Sequence, residues 1–262
     1  MPRTERLDVL VHGLGHTRSR ERARRLIMAG EVRVDGQVVD KPGTRVPAGA
    51  EITVEQKPPY VSRGGLKLEK ALDEFAITPD DAVVADVGAS TGGFVDVWLQ
   101  RGAKKVYAID VGYGQLAWPI RQDDRVVVME RTNARYLETL PEPIEFASVD
   151  VSFISLDLIL PKVQKWLISG GQAVALIKPQ FEAGADKVGK GGVVREAATH
   201  RRVLERVLYN AKTGGWQVLG LTRSPITGPA GNIEFLGWLG KDTAEPAVSL
   251  GAAIEHALSA ED

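Results

Sequence analysis

The chain has 262 residues, of which 44% are hydrophobic and 26% charged, and its formal net charge is -1. This composition excludes a disordered polypeptide. The absence of cysteine excludes disulfides, thiolate metal sites and a cysteine nucleophile. The N-terminus lacks the apolar core of a signal peptide, and no apolar run is long enough to span a bilayer. We therefore expect a cytoplasmic protein that does not enter membranes.

The first part of the chain predicts a small α+β module. A helix is expected over 19–28, with Ser19 as its N-cap and Gly30 closing it. Two short strands follow, joined by the turn-forming pair Asp35-Gly36, and "AEITVEQ" at 50–56 alternates like a third strand.

Basic charge is concentrated in this part of the chain. Residues 1–65 hold 12 Lys and Arg against 8 Asp and Glu, whereas the remainder holds 21 against 26. Several arginines bunch at the start of the helix that Ser19 caps: Arg18, Arg20, Arg22, Arg24 and Arg25. A solvated helix face is one interpretation of such a run, and contact with nucleic acid is the other.

The segment "LDVLVHGLGHTRSRERARRLIMAGEVRVDGQVVDKPGTRVPAGAEITV" resembles an S4 domain, the small RNA-binding module of ribosomal protein S4, pseudouridine synthases and tyrosyl-tRNA synthetases. The resemblance implies contact with structured RNA, mainly through phosphates, which positions a protein without reading sequence. The residues expected to take part are Arg6, Arg18, Arg20, Arg22, Arg25, Lys41 and, beyond the module, Arg63.

The Pro- and Gly-rich segment "EQKPPYVSRGG" predicts a linker at 57–62, between a domain over 1–57 and a second over 58–262. In the second domain, strand-like apolar runs alternate with amphipathic helical ones. This pattern predicts a mostly parallel sheet with helices on both faces, the α/β architecture of Rossmann-like proteins. Helices are expected over 66–75, 93–101, 156–168, 196–213 and 247–260, and strands over 82–86, 105–110, 125–129, 145–150, 171–178, 216–223 and 232–239.

A run of small residues, "VGASTGGF", follows the first of these strands, at the position where doubly wound sheets bind ligands. It is not a P-loop, because Gly93 is followed by Phe94 and not by Lys, and its glycine spacing does not fit the dinucleotide fingerprint. A structural glycine turn is the simplest alternative. The pattern "DVGASTGGF" resembles the first motif of Rossmann-like class I S-adenosylmethionine methyltransferases. This resemblance implies that the cofactor is held by Asp86, Gly88, Ala89, Ser90, Thr91, Gly92, Gly93 and Phe94.

Two further residues are candidates for the nucleoside part of the cofactor. Asp110 ends the second strand, 22 residues after Gly88, where an acid is the expected acceptor for ribose hydroxyls. Asn133 follows the third strand and is a candidate for the adenine edge. The alternative for Asn133 is an ordinary turn residue.

Four charged residues stand where uncharged ones would be easier to accommodate: Lys67 lies at the start of the second domain, Asp150 and Lys178 each end a strand, and Glu234 interrupts the apolar strand "NIEFLGWLG". Each could be a structural ion pair. Two amines and two carboxylates at the ligand-binding edge would be costly to bury unless they form ion pairs and serve a function there.

At its motifs the chain resembles the TlyA, or hemolysin A, family of ribosomal-RNA ribose methyltransferases, which have an FtsJ/RrmJ-type catalytic domain. The resemblance is carried by "VSRGGLKL", "DVGASTGGF", "DVGYGQL", "ERTNAR", "DVSFISL", "IKPQFE" and "GPAGNIEF" and covers nearly the whole length. It implies S-adenosylmethionine as cofactor, ribosomal RNA or ribosomal subunits as partner, and the 2'-hydroxyl of a cytidine as methyl acceptor. It also implies that Lys67, Asp150, Lys178 and Glu234 are a catalytic tetrad, with Asp150 close to the cofactor as well.

The chain departs from some relatives in the linker, where Pro58 and Tyr60 replace an Arg and a Trp. The stretch "FEAGADKVGKGGVVRE" after Lys178 is too polar for a core element and is expected to be a mobile or plain surface loop near the site. No metal is expected, and the chain is expected to be a monomer or a weak homodimer. A non-catalytic ribosome assembly factor is the alternative function. A membrane-lytic protein is disfavoured, because the sequence offers no suitable segment.

Overall fold

In the computed structural model the chain divides into two compact units, residues 1–59 and 60–262. The structure describes residues 4–17, 19–54, 58–184, 187–189 and 191–260. Each unit has its own hydrophobic core.

The first unit combines two helices with short antiparallel strands. Its elements are β1 (Thr4–Arg6), α1 (Leu7–Gly13), α2 (Arg20–Met28), β2 (Val32–Val34), β3 (Gln37–Val38), β4 (Arg45–Pro47) and β5 (Ile52–Val54). Strand β2 pairs with β3 and β5, and β1 pairs with β4. The predicted cap is confirmed, because the Ser19 hydroxyl accepts a hydrogen bond from the backbone N–H of Arg22 at 3.2 Å. Strands β1 and β4 were not predicted, since three residues are too few to show a period.

The second unit is an α/β domain. Its elements are α3 (Gly65–Glu74), β6 (Val83–Val87), α4 (Gly93–Gln100), β7 (Lys105–Ile109), α5 (Trp118–Arg121), β8 (Val126–Met129), β9 (Ile144–Val149), α6 (Leu160–Trp166), β10 (Leu167–Ile177), α7 (Pro179–Glu182), α8 (Ala197–Thr213), β11 (Gln217–Arg223), β12 (Phe235–Gly240) and α9 (Leu250–Ser259). None of the helices in the described part of the chain is long and apolar enough to cross a membrane.

Seven strands form one sheet in the order β11-β12-β10-β9-β6-β7-β8. Strand β12 runs antiparallel to both of its neighbours, and all the other pairings are parallel. Residues of α3 and α4 pack on one face of the sheet, and residues of α6, α8 and α9 pack on the other. The predicted Rossmann-like α/β class with a small N-terminal α+β module is therefore confirmed. Because strands buried on both faces carry near-continuous apolar runs, the sequence pattern was informative here.

Several predicted boundaries differ from the structure by three residues or more. The helix expected over 156–168 is a 3-10 turn, Leu156–Leu158, followed by α6. Pro161 lies in the first turn of α6, where its missing N–H costs nothing, but it could not donate within a helix continuing from 156. Strand β10 then begins at Leu167, and β12 begins only at Phe235, so Glu234 precedes this strand and does not interrupt it.

Tyr60, which the sequence placed in the linker, belongs to the second unit. Its ring is buried, and its hydroxyl donates a 2.6 Å hydrogen bond to Glu69 on α3. Burial, together with this carboxylate, raises the pKa of Tyr60 to about 12. A side chain on Gly65 would meet the Tyr60 ring at 2.5 Å, which accounts for glycine at the start of α3.

Candidate active site

The turn after β6 brings two loops into contact. Gly88 has φ +88°, and a Cβ placed on it would lie 2.2 Å from the carbonyl oxygen of Asp150, the residue that follows β9. Only glycine allows this approach, because the backbone is in the left-handed region and there is no room for a side chain. The glycine is therefore required by the packing of the chain itself.

Asp86, near the end of β6, is a buried carboxylate. One of its oxygens accepts a 2.7 Å hydrogen bond from the Ser148 hydroxyl, and the other, Oδ2, has no partner among the described residues. Burial raises the pKa of Asp86 to about 7, and the nearby Asp150 and Asp110 contribute in the same direction, whereas the bond from Ser148 opposes the rise. An unpartnered buried oxygen of this kind is suited to a cationic ligand.

A cavity of about 110 Å³ lies between Asp86 and the glycine turn. The predicted cofactor residues that line it are Asp86, Gly88, Ala89, Ser90, Thr91, Gly93, Phe94 and Asp150. Ser62 and Gly64 line it too and were not predicted, although the small residues of "VSRGG" were a usable signal. Gly92 does not line the cavity. It has φ +98° and packs under Leu116, so it shapes the turn. The orphan carboxylate oxygen and the glycine cradle fit the amino-acid end of S-adenosylmethionine.

Asp110 connects the cavity to the loop after β7. Its two oxygens accept hydrogen bonds from the backbone N–H groups of Ser90, at 2.7 Å, and Gly112, at 2.6 Å. Asn133 is exposed, and its side chain accepts a 3.0 Å bond from the N–H of Arg135, as a turn residue does. Neither residue lines the cavity, so their contacts with ribose and adenine stay predictions.

The four charged residues singled out in the sequence form two ion pairs. Lys67 Nζ lies 2.5 Å from Glu234 Oε2, and Lys178 Nζ lies 2.5 Å from Asp150 Oδ1. Asp150 and Lys178 directly follow the parallel strands β9 and β10. Glu234 joins them because β12 runs antiparallel to β10, with Phe235 opposite Ile177, so that the start of β12 lies at this same edge.

Further contacts hold both pairs in place. Lys178 Nζ donates to the Ser152 hydroxyl at 3.0 Å, and Gln180 donates through Nε2 to Glu234 Oε1 at 3.0 Å. Glu234 is 1% exposed, and Lys67 is 7% exposed. Removing one member of a pair with so little exposure would leave an uncompensated charge. Sequence reasoning missed Ser152 and Gln180, although both lie within the quoted motifs.

A second cavity, of about 700 Å³, adjoins these pairs. All four charged residues line it, together with Arg63, which is exposed. Asp150 lines both cavities. The small cavity at the glycine turn and the large cavity at the ion pairs are therefore adjacent. Among the residues that the structure describes, no three acidic or histidine side chains are grouped as metal ligands would be.

Part of the segment after Lys178 is helical or buried, which its composition did not suggest. Phe181 and Glu182 lie in the short helix α7, and Val194 is buried with its N–H bonded to Asn232 Oδ1 at 2.9 Å. The expectation that the stretch forms no core element is therefore wrong for Glu182 and Val194. Gly191 and Gly192 line the larger cavity. Residues 185, 186 and 190 lie outside the described residues.

Glu182 ties the loops after β9 and β10 together. Its carboxylate accepts hydrogen bonds from the Ser155 hydroxyl at 2.9 Å and the Leu156 N–H at 2.8 Å, and it pairs with Arg206 on α8 at 2.6 Å. It is 8% exposed. Since these two loops carry Asp150 and Lys178, Glu182 supports the geometry of the second ion pair.

Replacing Glu182 with alanine is expected to lower the free energy of unfolding by about 2–3 kcal/mol, because the Leu156 N–H loses its partner in a buried place. Urea unfolding measures the change. Glu255→Ala is the matched control, since Glu255 also pairs with an arginine of α8, Arg201, but at the surface. That variant should lose less than about 1 kcal/mol. Equal losses in the two variants would show that the contacts of Glu182 add nothing.

The predicted RNA contacts of the first unit fall into two groups. Arg6 and Arg20 both pair with Asp8, at 3.0 and 2.9 Å, and the Asp8 side chain is fully buried. Burial alone would raise the pKa of Asp8, but the bonds from the two guanidinium groups outweigh it and lower the pKa. Sequence reasoning missed this structural role. Both arginines stay about half exposed, so contact with RNA stays a prediction for them.

The other basic residues predicted to contact RNA are exposed wherever the structure describes them. Arg22, Arg25 and Lys41 point into solvent, and their side chains have no ion pair or hydrogen bond within the described part of the chain. They are free to meet phosphates. Arg18 lies outside the described residues.

Comparisons with known proteins agree with this fold. Residues 60–241 match the FtsJ-like methyltransferase family, and residues 5–52 match the S4 domain. Together they define an S-adenosylmethionine-dependent methyltransferase of the Rossmann-like type with an appended S4 domain. The chain belongs to the TlyA, or hemolysin A, family of these enzymes.

Similar proteins cover nearly the whole chain. YqxC of Bacillus subtilis is 54% identical over 88% of this chain and 84% of its own length. The 16S/23S rRNA (cytidine-2'-O)-methyltransferase TlyA of Mycobacterium tuberculosis is 44% identical over 99% of both chains. A solved structure described as a candidate hemolysin from Streptococcus thermophilus is 50% identical, with a TM-score of 0.74 over 99% of this chain and 95% of that one.

Proposed function

We propose that the protein methylates the ribose 2'-hydroxyl of a cytidine in ribosomal RNA. We also propose that the transfer is carried out by Lys67, Asp150, Lys178 and Glu234. The observation that carries the proposal is the meeting of two ion pairs, one buried and one partly exposed, at a large cavity that shares Asp150 with the cofactor cavity. The printed name of the Mycobacterium tuberculosis relative supports the choice of cytidine and of ribosomal RNA.

In the proposed reaction the protein has two tasks, which are to align the reacting groups and to remove one proton. S-adenosylmethionine, when bound, supplies a methyl group already activated by a sulfonium. The chain must hold the ribose hydroxyl in line with that methyl group and remove the proton of the hydroxyl group. Lys178 is placed for this, because Asp150 and Ser152 fix its Nζ at the edge of the cavity. As the ammonium that pairs with Asp150, Lys178 can stabilise the developing oxyanion directly; to accept the hydroxyl proton it must first pass one of its own protons to Asp150 or to solvent.

In this proposal the other pair orients the acceptor. Lys67 is fixed by Glu234, which Gln180 holds from its other oxygen. A lysine held in this way presents a fixed positive charge to the large cavity, where it can meet ribose or phosphate oxygens of the RNA. Arg63, at the exposed rim of the same cavity, is a candidate for a neighbouring phosphate.

Docking on RNA is proposed for the first unit through its free basic residues. The double variant Arg22→Ala, Arg25→Ala is expected to weaken binding to ribosomal subunits. The slope of log affinity against log salt should fall by about one for each phosphate that the variant no longer neutralises. Fluorescence anisotropy with labelled protein at several salt concentrations measures both quantities. Lys212→Ala, which removes an exposed lysine of α8, should change neither. An unchanged salt slope in the double variant would remove these arginines from the RNA interface.

The whole proposal is tested by methyl transfer from labelled S-adenosylmethionine to isolated ribosomal subunits. We expect the label to enter RNA with the wild-type protein. If the protein binds ribosomal subunits and cofactor but transfers no methyl group to the small subunit, to the large subunit or to the two together, it is an assembly factor. The cytoplasmic location and the state of monomer or weak homodimer stay predictions.

A further inference from the structure

A buried chain of three side chains lies behind the cofactor cavity. The indole Nε1 of Trp98, on α4, donates to the Ser148 hydroxyl at 2.8 Å, and that hydroxyl donates to Asp86 Oδ1 at 2.7 Å. Ser148 is on β9, and Asp86 is on the neighbouring strand β6. None of the three side chains is more than 1% exposed.

The direction of this chain of hydrogen bonds is determined by its first member. An indole N–H can only donate, so it occupies a lone pair of the Ser148 oxygen. The single proton of the hydroxyl is then left for Asp86, and it goes to Oδ1. As a result the Asp86 carboxylate is held through one oxygen, and Oδ2 is the oxygen without a partner.

We propose that Ser148, with its hydroxyl oriented by Trp98, is a positioning residue for cofactor binding, which holds Asp86 so that its free oxygen receives the ammonium group of S-adenosylmethionine. This inference rests on the role proposed for Asp86. Ser148 does not line the cavity and acts only through Asp86. The proposal explains why a serine, and not an alanine or valine, stands between the buried Ala147 and Val149 near the end of β9.

The charges around Asp86 give this arrangement a measurable signature. Asp110, from the loop after β7, and Asp150, after β9, both favour the protonated form of Asp86, and the bond from Ser148 favours the ionised form. A cationic ammonium group requires the ionised form. Cofactor affinity should therefore fall as the pH drops through about 7, the pKa of Asp86, and loss of the Ser148 hydroxyl should move this fall to higher pH.

The test is calorimetry of three ligands with the full-length protein between pH 5.5 and 7.5, below the range near 8 in which an α-amino group loses its proton. S-adenosylmethionine and S-adenosylhomocysteine both carry the ammonium group, and 5'-methylthioadenosine lacks the whole amino-acid end. For Ser148→Ala we expect about tenfold weaker binding of the first two at pH 7, with the pH midpoint displaced upward. Binding of 5'-methylthioadenosine should stay within about twofold.

Two companion variants sharpen the result. Asp86→Asn should remove most of the pH dependence, and Ser259→Ala, at the exposed end of α9, should behave as the wild type. If Ser148→Ala leaves the pH profile unchanged, or weakens all three ligands alike, Ser148 has only a structural role and the inference is overturned. A wild-type protein with the expected pH profile that methylates no RNA would contradict the proposed function and leave this inference standing.

Discussion

Replacing Lys178 with alanine is expected to slow methyl transfer to ribosomal RNA by about 10²–10⁴-fold, the range that a general base contributes. Affinity for S-adenosylmethionine should change little, because Lys178 lines the large cavity and not the small one at the glycine turn. Single-turnover methylation and calorimetry measure the two quantities separately. Lys212→Ala is the control for the loss of a lysine at the surface.

A second substitution separates the two roles open to Lys178. Arginine keeps the positive charge but cannot give up its proton. If Lys178 accepts the hydroxyl proton, Lys178→Arg should be as inactive as Lys178→Ala, whereas a role in stabilising the oxyanion predicts partial activity. Wild-type rates in the alanine variant would remove Lys178 from the mechanism.

Gly88→Ala is expected to have the largest effect on stability, about 3–5 kcal/mol. The added Cβ would lie 2.2 Å from the Asp150 carbonyl oxygen, and a positive φ strains any residue that has a Cβ. The variant should unfold roughly 10 °C lower and should lose cofactor binding, because the glycine turn and the Asp150 loop must separate. Thermal unfolding and calorimetry check both outcomes.

The matched control for this variant is Gly170→Ala. Gly170 has a similar φ of +83°, but no atom lies within 4 Å of the position of its Cβ. The Gly170→Ala variant should therefore lose only the free energy of backbone strain, about 1–2 kcal/mol, from its free energy of unfolding. If the two variants are equally destabilised, the close approach of Gly88 to Asp150 is not a constraint on the fold.

The sequence predicted most of the α/β sheet because its strands are short apolar runs between clear breaks. It also placed Asp150 and Lys178 at the ligand-binding edge, because they end parallel strands. It did not show which charges pair. The partner of Lys67 is Glu234, 167 residues away, and the pair forms because β12 turns back beside β10.

Contacts between side chains that are distant in the sequence were the main omission. Nothing local in "FASVD" shows that Ser148 bonds to Asp86, or that a tryptophan 50 residues earlier donates to it. In the same way, the sequence did not show that Arg6 and Arg20 both pair with the buried Asp8. Periodicity reports burial and strand ends, whereas polar partners depend on tertiary packing.

The central claim, transfer to a ribose hydroxyl, is tested most directly by the chemical position of the methyl group. Ribosomal subunits are treated with the wild-type protein or with Lys178→Ala, and the RNA is digested to nucleosides for mass spectrometry. We predict 2'-O-methylcytidine with the wild-type protein and none above background with the variant. A methyl group found on a base, or on no nucleoside at all, would contradict the account.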